Sequence, residues 1–375
     1  MFGQCVKLTI LILIFLTTLS CSKKTTGTAP SSVVLKGSRK LGFHVTQALG
    51  ESFDSAFAFI DTNHFDHVNL HQIWGDGGIV GLPVAALTTN SAGTSFDTTY
   101  VDIANAYYPA HAKGLMFTIG TIDSNNKLVP SSFNAIAFDN VSLRANFKTL
   151  LATVIPKLAA TDVISFNIGN EVDVYLGTNS TAWAQYKTFF DDVSTYARTQ
   201  RSNLKIGVTT TLYGAISASQ KSFIQSLNTN ADIVSVTYYP LNSDFTMKST
   251  TIVAADFASL VSLYPTKPIY IQEIGYSSGA TYVASSTELQ RQFVNNFFSA
   301  WDTYQTNIPV VSWLNSTEWS TAAVNSYGTQ YGICPGTYCN GFKEYLQTLG
   351  LRNYTDGSYK PAMNEVFSQM QSRGW

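Results

Sequence analysis

Apolar and polar positions alternate along this chain in two rhythms. Short, nearly continuous apolar runs predict strands: LGFHV (41–45), HVNLHQIW (67–74), LMFTIG (115–120), DVISFNIG (162–169), LKIGVTTT (204–211), DIVSVTYYP (232–240), KPIYIQEIG (267–275) and IPVVSWLN (308–315). Between them lie longer amphipathic stretches that predict helices, at 52–60, 98–114, 142–160, 181–201, 217–227, 252–264 and 286–305, with two more at 342–350 and 361–371. Strands apolar throughout their length are expected where both faces are covered. Strict alternation of strand and helix points to a parallel sheet. Eight such pairs over residues 38–375 predict an α/β fold, a (β/α)8 TIM barrel forming a single catalytic domain. The competing arrangement is a doubly wound open sheet. That fold usually carries a glycine-rich phosphate turn after its first strand, and HVTQALGES has no GxGxxG.

The N-terminus follows another pattern. Lys7 precedes the apolar run Leu8–Leu16, then Thr17-Thr18-Leu19-Ser20-Cys21. A basic start, a short apolar stretch and small residues before a cut describe a signal peptide, here 1–20. Cys21 after Leu19-Ser20 resembles the lipobox of bacterial lipoproteins, which implies a lipidated cysteine and a lipid-bilayer anchor. Residues 21–37 read as the lipidated Cys and a flexible Ser/Thr/Pro/Gly-rich tether. The expected location is outside the cytoplasm, membrane-anchored on the periplasmic or cell-surface face. Cys334 and Cys339, in ICPGTYCNG, then sit in an oxidising compartment and are expected to form a disulfide. No further ligands lie near them, so no metal and no cofactor is expected.

Composition narrows the partners. Charged residues make up 13% of the chain, about half of the usual ~25%. The formal net charge is −1 and no long basic run exists, which argues against nucleic acid. A monomer is expected.

Active sites of such barrels gather at the C-terminal ends of the strands. There the fourth strand delivers Asn170 and Glu171, and the seventh delivers Glu273. Tyr238 and Tyr239 end the sixth strand, His71 and Trp74 the second, and Trp313 the eighth. Two carboxyls at one end of a barrel suit glycoside hydrolysis. One must carry a proton for the leaving oxygen, and the other must be ionised to attack the anomeric carbon or activate water. Aromatic rings suit the C–H faces of sugars. On this reading His71 and Trp74 are candidate sugar contacts. A lone strand-end Glu would more simply be a cap or an ion-pair partner; two on the fourth and seventh strands make a pattern.

Ile168-Gly169-Asn170-Glu171 and Ile271-Gln272-Glu273-Ile274-Gly275-Tyr276 resemble the signatures of the large clan of retaining (β/α)8-barrel glycoside hydrolases. The spelling is closest to the β-1,3-glucanase and endo-β-1,4-galactanase branches. The resemblance implies Glu171 as general acid/base and Glu273 as nucleophile. It further implies that Asn170 binds the sugar 2-hydroxyl, Tyr238 orients the nucleophile and Trp313 stacks on sugar. Where the cellulase branch has a third-strand His, this chain has Thr118 to Asp123. The expected activity is that of a retaining, endo-acting β-glycosidase on a polysaccharide or oligosaccharide. A transglycosylase on the same site and a non-catalytic glycan-binding lipoprotein are the alternatives.

Overall fold

The computed structural model describes residues 33–75, 86–87 and 96–375. The chain runs β1 (Lys40–Phe43), α1 (Phe53–Thr62), β2 (His67–Trp74), β3 (Ala86–Leu87), α2 (Thr99–Ala110), β4 (Gly114–Asp123), β5 (Asn126–Lys127), α3 (Val141–Lys157) and β6 (Val163–Asn170). It continues with α4 (Val172–Leu176), α5 (Ser180–Gln200), β7 (Ile206–Gly207), β8 (Thr209–Thr211), α6 (Leu212–Ile216), α7 (Lys221–Leu227), β9 (Val234–Tyr238), α8 (Val253–Leu263) and β10 (Ile269–Ile274). It ends with α9 (Thr287–Thr303), β11 (Val310–Trp313), α10 (Thr321–Gln330), α11 (Cys339–Gln347) and α12 (Pro361–Arg373).

Hydrogen bonding orders the main strands β7-β6-β4-β2-β1-β11-β10-β9-β8, all parallel to their neighbours. The two ends of this path, β7 and β8, are separated in sequence only by Val208. The predicted fifth strand is therefore split: its first half pairs with β6 and its second half with β9, which brings the sheet round into a barrel. The helices cover its outer face. Every residue of β4 and β6 is buried, which explains the unbroken apolar runs.

Side-chain alternation decides what enters the barrel. In β9, Ser235 and Thr237 point inward, while Val234, Val236 and Tyr238 belong to the outer apolar layer beneath the helices. The barrel interior is unusually polar. Asn167 Nδ2 and Thr209 Oγ1 both donate to Gln272 Oε1, at 2.8 and 2.6 Å, and Asn69 Nδ2 donates to the Gln272 carbonyl at 2.8 Å. Gln272 Nε2 in turn donates to Asn170 Oδ1 at 3.3 Å. A buried network of this kind fixes geometry as well as filling space, though Asn167 Oδ1 has no partner in it. Here it links the floor of the barrel to the residue beside Glu171.

Residues 34–37 depart from the tether expected over 21–37. The Lys36 backbone N–H donates to the Arg373 carbonyl at 2.7 Å, and Arg39 Nη2 donates to the carbonyls of Val34 and Leu35. Residues from Val34 onward belong to one compact unit with the barrel. The expected signal peptide, Cys21 and the rest of the tether lie outside the described residues.

Gly169 shows how tightly the fourth strand's exit is built. Its φ is +89°, and a Cβ there would lie 2.3 Å from Tyr186 Oη and 2.7 Å from Val172 Cγ1. Gly169→Ala is expected to lower unfolding free energy by at least about 1 kcal/mol, because both the backbone angle and the space are wrong for alanine. Urea unfolding checks this; an unchanged midpoint would show that the turn relaxes.

Candidate active site

Glu171 follows β6 directly, with φ 46° and ψ 42°. This left-handed conformation is costly for a glutamate, about 1–3 kcal/mol, and such strain concentrates at functional sites. It turns the carboxyl into the barrel mouth. Thr237 Oγ1 donates to its Oε1 at 2.7 Å, and Ser124 Oγ donates to its Oε2 at 2.5 Å. Glu273 arrives from β10, where the β9–β10 register shifts between Ile271 and Glu273. Such irregularities re-aim side chains at strand ends. Tyr239 Oη donates to Glu273 Oε2 at 2.7 Å. Both glutamates line one cavity of about 770 Å³ at the C-terminal mouth of the barrel.

A third carboxylate, Asp123, lines the same cavity. Its Oδ1 accepts from Asn170 Nδ2 at 3.0 Å and its Oδ2 from Tyr331 Oη at 2.9 Å. Burial pushes Glu171 up to about 7, against the pull of its two hydroxyl donors. Burial first, then the charge of Glu171, pushes Glu273 up to about 8. Both carboxyls are thus pushed toward the protonated form, and the charge of Glu171 opposes ionisation of Glu273. Glu171 receives two hydroxyl donors and Glu273 one from Tyr239, so the donors alone place the first charge on Glu171. That is the reverse of the roles implied by the resemblance.

Several expected contacts are corrected by the geometry. Tyr238 is buried, and its Oη donates to Asp256 Oδ2 at 2.8 Å, so it does not hold Glu273. Tyr239, one residue on and on the inward face, does. Trp313 is 1% exposed and packs edge-on against Phe293 and Phe297 under the helices, so it offers no face to a sugar. Trp74 is fully buried and packs edge-on against Phe147, away from the cavity. Asn170 and His71 do line the cavity.

Other cavity residues were missed from sequence: His44 just after β1, Asp123 at the end of β4 with Ser124 beyond it, and Thr237 on β9. All are polar residues at or near the ends of apolar strands, so the signal was present. The segment after β11 contains α10 and runs into α11. Cys334 and Cys339 are disulfide-bonded, Cys339 being the first residue of α11. Tyr327 on α10, Tyr331 at its C-terminal end and Tyr345 on α11 wall the cavity, and Trp319 stacks on Tyr327 with ring centroids 4.5 Å apart.

No protein-family model matches the chain, and no curated protein matches it in sequence. Its structure is similar to an exo-β-1,4-mannosidase from Opitutaceae bacterium strain TAV5, with TM-score 0.64 and 13% identity over 89% of this chain and 59% of that one. The chain therefore spans under two thirds of that mannosidase. It is also similar to GH5_18 from Streptomyces cattleya in complex with GlcNAc, with TM-score 0.62 and 16% identity over 90% of this chain and 80% of that one. A thermostable xylanase mutant from Cellvibrio japonicus gives TM-score 0.58 and 13% identity over 88% and 97%. At these identities the likeness concerns the fold: this chain is a TIM barrel of the architecture seen in those glycoside hydrolases.

Proposed function

We propose that this protein is a retaining β-glycoside hydrolase working by double displacement on an oligosaccharide or polysaccharide, with Glu273 as nucleophile and Glu171 as acid/base. The observation that carries the reading is the pair itself: two buried glutamates from the fourth and seventh barrel strands, in one cavity, both pushed above the ordinary carboxylate range. The neighbouring solved structures, glycoside hydrolases on the same fold, support it by analogy.

In the first step Glu273 Oε1 attacks the anomeric carbon, Oε2 being held by Tyr239. The glycosidic C–O bond breaks as Glu171 gives its proton to the departing oxygen. A glycosyl ester forms on Glu273. Glu171, now a carboxylate, takes a proton from water, whose oxygen attacks the same carbon and releases Glu273. Two inversions give net retention. Asn170 is held between Asp123 and Gln272 and keeps a second Nδ2–H for the sugar 2-hydroxyl. A sugar hydroxyl in place of water would give transglycosylation by the same route. Export and lipid attachment at Cys21 complete the proposal, and palmitate labelling lost in Cys21→Ala would support them.

Proton NMR of the first-formed product tests the reading. The β-anomer is expected before mutarotation; the α-anomer would overturn retention. Tyr239→Phe is expected to lower kcat by about ten- to a hundredfold, the worth of a hydrogen bond to a charged group. The lost donor had favoured the Glu273 carboxylate, so its pKa rises and the acidic limb of the kcat/KM profile moves to higher pH. An unchanged limb would remove Tyr239 from this role.

A further inference from the structure

The line from Glu171 to Glu273 divides the ring of strands. On one side lie β8 and β9; on the other lie β4, β2, β1 and β11. The second flank carries the cavity's distinctive polar groups: His44, His71 and Asp123. Nε2 of His44 and Nε2 of His71 are out of solvent contact and have no hydrogen-bond partner in the protein. Closed to solvent, with His71 Nε2 turned toward Gly120, these nitrogens present no charge and no free donor to the cavity, which the two rings line. Burial, and for His44 the neighbouring His71, keeps both rings neutral: His44 is lowered to about 3, and His71 is lowered as well. Each Asp123 oxygen takes one donor from the protein, and a carboxylate oxygen can accept two.

Charge decides what ligand fits. Three carboxyl groups line the cavity, and among the described residues no Lys or Arg does. Lys248 lies against the Tyr213 ring, on the opposite flank, and is not in the lining. Residues 76–95, DGGIVGLPVAALTTNSAGTS, contain no Lys or Arg at all. A uronic acid would bring another negative charge into a buried site with no cation to receive it, which is strongly disfavoured at low effective dielectric. A neutral sugar brings no charge, and its hydroxyls can donate to Asp123.

We propose, resting on the glycosidase reading above, that His44, His71 and Asp123 form a glycone-recognition wall that selects an uncharged sugar and rejects a uronic acid. Asp123 is the main electrostatic barrier, and the two histidines line the wall as rings that supply no positive charge.

The test uses matched 4-nitrophenyl β-glycosides: glucoside against glucuronide, and galactoside against galacturonide. The neutral member of at least one pair is expected to exceed its uronide by at least about a hundredfold in kcat/KM, the size of a few-kcal/mol charge penalty. In Asp123→Asn that ratio is expected to shrink by about tenfold, whatever the loss in absolute rate. A uronide turned over as well as its neutral partner, or a ratio unchanged in Asp123→Asn, overturns the inference while leaving the glycosidase reading intact. If the wild type hydrolyses none of the four, the glycosidase reading stands or falls on oligosaccharide substrates, and calorimetric titration of the same pairs into the wild type decides the wall on its own. Tighter binding of the neutral member supports it. Equal affinity, tighter uronide binding or no binding of either overturns it.

Discussion

Replacing Glu273 by glycine is expected to cut kcat on an aryl β-glycoside by about ten-thousandfold or more, the scale of losing a catalytic nucleophile. Added azide should then restore turnover and give an α-glycosyl azide. Azide enters the space left by the carboxyl and attacks from the face that Glu273 used, so a single inversion results. The assignment rests on position: Glu273 ends β10, its register shifted toward the cavity, and Tyr239 holds one of its oxygens. A variant with near wild-type activity would remove Glu273 from the reaction. A β-glycosyl azide would instead assign it the acid/base role.

Glu171→Ala is expected to behave differently with different leaving groups. For substrates whose departing alcohol needs protonation, kcat/KM should fall by about a hundred- to ten-thousandfold, the usual worth of a general acid. For a dinitrophenyl glycoside, whose leaving group needs no proton, formation of the glycosyl ester should survive and its hydrolysis become limiting. Azide should accelerate that second step and give a β-glycosyl azide. This contrast between the two variants bears directly on the order in which the pair carries charge. The hydroxyls of Thr237 and Ser124 favour charge on Glu171, yet the reaction needs its proton there. If leaving-group basicity made no difference to Glu171→Ala, Glu171 would be a structural residue held by those two hydroxyls.

The barrel was legible because its strands are buried on both faces and read as unbroken apolar runs. Glu171 and Glu273 were legible as a pair, because two carboxylates end apolar runs on the fourth and seventh strands, where one alone would read as a cap or an ion-pair partner. The tyrosine and tryptophan assignments failed for one shared reason. Strand alternation sends Tyr238 and Trp313 outward beneath the helices, and their inward neighbours Thr237 and Ser312 into the barrel. Reading DIVSVTYYP by its faces, Ser235-Thr237-Tyr239 against Val234-Val236-Tyr238, would have chosen Tyr239. His44 and Asp123 obeyed the same strand-end rule as the glutamates. A single polar residue closing an apolar run is also the ordinary way for a strand to end, so neither stood out without its partners in space. The wall contributed by α10 and α11 was harder to see. Its residues reach the cavity only through long-range packing, such as Tyr331 on Asp123, which no local pattern encodes.

The central claim is that Glu273 carries the sugar during turnover. Incubation with a 2-deoxy-2-fluoro β-glycosyl fluoride, which slows release more than attack, followed by peptide mass mapping, tests it most directly. The account predicts one added glycosyl residue per chain, on Glu273, discharged slowly by an acceptor. A label on any other residue, or unlabelled protein that still hydrolyses the parent glycoside, would contradict it.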